Sequence, residues 1–451
     1  MRTILSLLSL AFVAAFCIAA CERSDEPAPA PARALDLVLV PHAGDDERDE
    51  AIQRAQTRVG TGQQIEAALG HLGWAYVAKA RASRDEGYYR LAQACGEAII
   101  EETAATTDSR PPEALLLLGH VAATFHRFSE AESIAAELVQ RRGLPFDHLL
   151  LGDAFMEQGK IEEAIASYQT GVDLKPGLQS YARVGWMRWL IGDLEGAIEA
   201  TELAAGAASP RDRESVAWVR SRLGHFRMLS GDRDGAKEEL AIALAALPDY
   251  PPALVLEAKL ALADGDTETA IASLRRAVAI EPLPEPLWLL AEVLIEAGQD
   301  EEAKAVFDEL ARTGERGDPR THALFLATTG RSPEIALRLA EAELEERADY
   351  FTRDALAWAL FANGRIAEAR TEMDHALAGG TIDPRLFFHA AVIAHAAGET
   401  AEAADWIASA HDLYASLLPS ERRALEGLAK NLPEASPLAD GTTNPRSEDK
   451  P

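Results

Sequence analysis

Residues 145–176 read PFDHLLLGDAFMEQGKIEEAIASYQTGVDLKP, and this stretch decides the fold. Leu149, Leu150, Leu151, Phe155 and Met156 follow a helical period up to Gly159. Glycine tolerates the left-handed backbone on which helices commonly end. A second helical pattern then runs through Ala164 and Tyr168 to Pro176, where a helix cannot continue. The stretch therefore predicts two antiparallel helices joined by a tight turn.

Outward from this unit the pattern repeats. A helix-ending glycine recurs at Gly159, Gly192, Gly231, Gly265, Gly298, Gly330, Gly364 and Gly398, in steps of 33, 39, 34, 33, 32, 34 and 34 residues. An alanine follows each after five residues, or six after Gly330: Ala164, Ala197, Ala236, Ala270, Ala303, Ala336, Ala369 and Ala403. Ala131 extends that series by one further step of 33. Seven residues before each glycine stands another small residue: Gly152, Gly185, Gly224, Ala258, Ala291, Ala323, Ala357 and Ala391. Three small-residue series in register mean a solenoid of stacked helix pairs, in which each pair touches only its neighbours. Asp193, Asp232 and Asp266 stand where each second helix needs an N-cap or a first-turn acid. Pro176, Pro248 and Pro282 mark where second helices stop.

The unit from Pro145 to Pro176 resembles the tetratricopeptide repeat (TPR) family. Leu151-Gly152, Phe155, Gly159, Ala164, Tyr168 and Pro176 fall on successive signature places. The resemblance covers roughly Gln63 to Leu413. It implies an all-α fold, a right-handed α-solenoid of about nine to ten antiparallel pairs. The unit around Gly330 has drifted and carries Pro333 at the start of its second helix. The longer step near Ala208 predicts a bend or a lengthened loop, and Leu413 to Leu432 a helix capping the last pair.

The N-terminus reads as an address. Met1-Arg2 is a short positive start and Ile4 to Ala20 an apolar run interrupted only by Ser6 and Ser9, the pattern of an export signal. Ile18-Ala-Ala-Cys21 is similar to a bacterial lipobox, with Ile where Leu is commoner. That resemblance implies diacylglycerol on Cys21, cleavage before it, and anchoring in the cell envelope. With Glu22 next, it implies the outer membrane, facing the periplasm. Ordinary secretion and a signal anchor are the alternatives. The expected organisation is a signal peptide (1–20), a flexible Pro- and Ala-rich linker (21–44), the solenoid with its cap (45–432) and a polar, disordered tail (433–451).

The chain has 451 residues, 48% of them apolar, enough for a continuous core. A net charge of −29 argues against nucleic acid or anionic lipid as the main partner. Beyond Cys17 and Cys21 there is one cysteine, Cys95, read as a small packing residue in an Ala-rich helix. The eleven histidines lack metal-ligand spacing, and no nucleophile, metalloprotease or phosphate-loop motif occurs. Neither a cofactor, a metal nor a catalytic site is expected.

What remains is surface. In the tetratricopeptide family, first-helix residues one and four places after the small residue tend to face the concave groove. Those places hold Trp186, Trp189, His225, Met228, Trp358 and Phe361; Trp218 and Trp288, three or six places before it, commonly share that face. Aromatic and Met side chains suit protein-binding hot spots, and the alternative for each is packing between repeats. The expectation is a lipid-anchored adaptor or assembly factor that binds proteins or peptides. A self-associating structural protein of the envelope and an enzyme with a site between repeats are the rivals.

Overall fold

The computed structural model describes residues 33–105 and 109–430. The signal peptide, Cys21 and the tail from 433 lie outside the described residues. Among those described, twenty-three α-helices and one short 3-10 turn follow one another, with no strand. Two helices come first, α1 (Ala34–Val38) and α2 (Glu47–Gly60). Ten antiparallel pairs follow. The first five are α3 (Ile65–Ser83) with α4 (Gly87–Thr103), α5 (Pro112–Thr124) with α6 (Phe128–Arg141), α7 (Pro145–Glu157) with α8 (Ile161–Leu174), α9 (Leu178–Leu190) with α10 (Leu194–Ala207), and α11 (Arg213–Leu229) with α12 (Arg233–Ala246). The next five are α13 (Pro251–Ala263) with α14 (Thr267–Ile280), α15 (Pro284–Glu296) with α16 (Asp300–Gly317), α17 (Pro319–Thr329) with α18 (Pro333–Glu346), α19 (Tyr350–Ala362) with α20 (Ile366–Leu377), and α21 (Pro384–Ala396) with α22 (Thr400–Asp412). The final helix is α23 (Pro419–Ala429).

The three small-residue series build these pairs. Gly192, at φ +85°, turns α9 into α10. Its N–H bonds the Trp189 carbonyl, and the Asp193 N–H reaches back to Arg188 at 2.8 Å, closing a Schellman motif. The seven other glycines of the series all have positive φ. His126, at φ 57°, fills the same place one unit earlier, where the sequence shows no glycine. Asp193, Asp232 and Asp266 each accept from a backbone N–H three residues on, at 2.8, 2.9 and 3.0 Å. The alanine series is buried throughout. Where α9 meets α10, a Cβ on Gly185 would stand 2.3 Å from Thr201 Oγ1 and 3.1 Å from the Ala197 carbonyl oxygen. Cys95 is a fully buried packing residue, and burial pushes its thiol pKa up. The long step after Gly192 is taken up by a loop at Ala208–Asp212 and by extra length in α11.

Three expectations are corrected. The linker does not run to residue 44: α1 packs against α4, Val38 is fully buried, and its carbonyl accepts from Tyr76 Oη at 3.0 Å. The second correction concerns contacts, which are not confined to neighbouring pairs. Trp189 Nε1 donates to the Ile382 carbonyl at 2.9 Å, Thr381 Oγ1 to the Leu190 carbonyl at 2.7 Å, and Arg347 to Glu157; these partners lie 190 to 193 residues apart. The superhelix winds tightly enough for successive turns to touch. Third, α23 does more than cap the last pair. It folds onto α15, where Ser420 N and Oγ donate to Glu292 at 2.7 Å and Arg423 pairs with Glu296 at 2.9 Å. Leu417, Leu418 and Leu425 join the core there, because an amphipathic terminal helix buries more apolar surface in the groove than at its end.

Candidate binding cavity

The first helices of the pairs line the concave side, and the seam between turns divides it in two. Over α9 to α21 lies a cavity of about 590 Å³, bounded by Trp186, Trp218, Arg222, His225, Tyr250 and Lys259 on one side. Arg320, Arg347, Asp349, Asp354 and Arg385 face them. Over α3 to α9 lies a more apolar hollow of about 390 Å³, lined by Trp74, Leu116, His120, Phe146, Asp153 and Arg183 among others.

The wall of the larger cavity is charged, and nearly all its charges are matched. Lys259 pairs with Glu285 at 2.7 Å and Arg320 with Asp349 at 3.0 Å. Arg347 bridges Glu157 and Asp349 across the seam, and Arg385 holds Glu421 of α23 at 2.8 Å. Asp354 holds His389 Nδ1 at 2.7 Å, and Asp383 accepts from two N–H groups at the start of α21. Arg222 differs. It stacks 4.0 Å above the Trp186 ring and 5.9 Å from that of Trp218, with no hydrogen-bond or ion-pair partner among the described residues. Burial, with no anion opposite, lowers its pKa to about 10. Burial and the nearby Lys259 and Arg222 charges push His225 down to about 3, so its imidazole is neutral at pH 7.

Models of the tetratricopeptide repeat match residues 149–212, 227–283 and 355–417, and a second such model matches 261–324. The chain carries tetratricopeptide repeats. Such repeats support a protein-interaction scaffold. The models pass over 325–354, the drifted unit around Gly330, and everything before 149, although the structure extends the repeat pairs back to Ile65. No curated protein matches the chain. Among solved structures, a thermophilic TPR protein of Thermus thermophilus is 21% identical, covering 44% of this chain and 97% of its own, with a TM-score of 0.36. Human IFIT1, in its dimer with m7Gppp-AAAA, is 16% identical over 81% of this chain and 86% of its own, at 0.48. A tetratricopeptide repeat protein from Parabacteroides merdae is 13% identical over 71% and 97%, at 0.31.

Of the groove residues read from the sequence, Trp186, Trp218 and His225 reach the larger cavity, all half-buried. Trp189, Met228, Trp288 and Trp358 do not; each is at most 6% exposed. Trp189 packs into the seam against Phe351, with ring centroids 5.4 Å apart. Trp288 bonds Glu292 and lies under Arg385, and Trp358 stacks on His389 at 4.0 Å. Phe361 lies 4.9 Å from Trp358, centroid to centroid, outside the cavity lining. The place after the small residue thus faces the groove at Asp153, Trp186, His225 and Lys259. The place three further on is claimed by packing at Trp189 and Met228. Arg222 and Tyr250 were missed. A signal existed for Arg222, since Trp218, Arg222 and His225 are spaced four and three apart on one helix face. Among the described residues no group of His, Cys, Asp and Glu could hold a metal ion, and no helix is long and apolar enough to cross a membrane.

Proposed function

We propose that this tetratricopeptide-repeat chain is a lipid-anchored adaptor of the cell envelope, held at Cys21 and facing the periplasm. It receives a segment of another protein in the concave groove of its first units. The observation that carries the proposal is a contrast in exposure. Trp74 and Phe146, on the groove wall over α3 to α7, are 39% and 46% exposed, whereas the tryptophans further along are buried or half-buried. Large apolar side chains gathered on one concave wall suit a protein partner. Asp153, held by Arg183 at 2.7 Å and by Tyr168 Oη at 2.8 Å, gives that groove a fixed polar floor. It is also the end of the array nearest the anchor, so a captured partner is kept close to the membrane. The lipobox-like Ile18-Ala-Ala-Cys21 supports the address.

One experiment with two arms tests this. Cys21→Ala should move the protein from the membrane fraction into the soluble fraction or leave it unprocessed. Unchanged membrane association with normal cleavage would contradict the anchor. Replacing Trp74 and Phe146 together by Ala should weaken capture of partners from solubilised envelopes by about 2 kcal/mol, roughly thirtyfold, with the thermal transition retained. Undiminished capture by that folded variant would move the partner site elsewhere.

A further inference from the structure

We propose that the half-open cavity over α9 to α21 is a binding site for a small monocarboxylic acid, its carboxylate held by Arg222 and its apolar body by Trp186 and Trp218. This goes beyond the adaptor function, which uses the other end of the groove.

Three polar side chains converge on this wall without partners among the described residues: Arg222 and His225 from α11, and Tyr250 from the start of α13. Every other cation of the wall has a carboxylate at hydrogen-bonding distance. A half-buried guanidinium with no anion opposite it is a ready anion site, and a carboxylate matches its fork bidentately. Tyr250 keeps its proton, burial holding its pKa near 12, so its hydroxyl is available as a second donor. Charge sets the class of anion. Glu281, Glu285 and Asp383 also line the cavity, and the chain carries −29 overall. One free cation in that setting suits a single negative charge, and a phosphate dianion would meet net repulsion. Size and the seam set the rest. About 590 Å³ lies within the usual ~300–1,000 Å³ of small-molecule sites. The contacts of Trp189, Thr381 and Arg347 close the seam against an extended partner. The indole of Trp186, already under the guanidinium, offers a planar surface to an aromatic or aliphatic body.

The test is calorimetry on the full chain with phenylacetate, 4-phenylbutyrate, indole-3-acetate and octanoate, each beside its primary amide. Phenyl phosphate serves as the dianion and an N-acetylated tripeptide with a free C-terminal carboxylate as the chain-borne source. At least one free acid should bind saturably and tenfold or more tighter than its amide and than phenyl phosphate. Arg222→Gln should weaken that acid tenfold or more, and Arg222→Lys by less. If no acid binds better than its amide, or Arg222→Gln binds as the native chain does, the proposal is overturned. Binding of the peptide acid alone also overturns it and returns the cavity to a protein partner. Should Arg222→Gln fail to fold, the acid-against-amide comparison on the native chain still decides. The Trp74 and Phe146 double variant should bind the acid normally, so failure of the adaptor proposal and failure of this one remain distinguishable.

Discussion

Trp189→Ala should destabilise the protein by about 3–5 kcal/mol, the usual cost of removing a buried large aromatic side chain. Trp189 is 3% exposed and joins three parts of the chain. Its ring meets Trp186 of its own helix at 4.6 Å, Phe226 of the next pair at 5.7 Å and Phe351 of the next superhelical turn at 5.4 Å. Its indole N–H satisfies the Ile382 carbonyl, so truncation also strands an acceptor at the seam. A tryptophan standing free in a groove would cost within about 0.5 kcal/mol, the surface value. Trp189→Phe separates the contributions: it keeps an aromatic ring and loses the hydrogen bond, and should cost about 1–2 kcal/mol. Urea unfolding followed by circular dichroism measures both, with the slope checked because repeat arrays can unfold in stages.

The second large effect belongs to Gly185→Leu, expected at about 3 kcal/mol or more, the upper end of overpacking in a well-packed core. The atoms a side chain would strike are Thr201 Oγ1 and the Ala197 carbonyl oxygen of α10. Neither can yield easily. Ala197 O already accepts from Thr201 Oγ1 at 2.7 Å, and Ala197 is fully buried. The two helices would have to separate, loosening the pair and the seam beyond it. Gly206 of α10 is the control, being exposed with nothing within 4 Å of a Cβ built on it. Gly206→Ala should raise stability by about 0.5–1 kcal/mol through helix propensity alone. Equal effects at the two positions would mean that the small-residue register is not what holds the pairs together.

The pairs were legible in the sequence because everything that makes a pair is local. The glycine turn, the aspartate cap and the two small residues at each crossing recur mostly every 33 or 34 residues, and a period is visible without coordinates. His126 shows the limit of that signal: it takes the left-handed turn where glycine is absent, and only Ala131 betrayed its unit. The closure between turns was not legible. It depends on small rotations accumulated over many repeats, and Ile382 and Thr381, its acceptor and donor, carry no mark that pairs them with Trp189 and Leu190. For that reason Trp186 and Trp189, adjacent on one helix face, have different fates. One lines the cavity and the other fills the seam. The same ignorance of distant units hid the placing of Arg385 over Trp288. Arg222 was overlooked for a different reason: an arginine on a helix face ordinarily has a partner, and its lack of one emerges only when every neighbouring carboxylate is seen to be taken.

The defining feature of the fold is that successive turns of the array touch along a seam, with the larger, half-open cavity beside it. A double-mutant cycle across the seam tests it most directly, with Glu157→Gln, Arg347→Gln and the two combined, each measured by equilibrium unfolding. The side chains are 18% and 17% exposed and belong to units 190 residues apart, so only closure can couple them. The closed superhelix predicts a coupling energy of about 1 kcal/mol or more, as for residues in direct contact, and additivity within about 0.3 kcal/mol would contradict it.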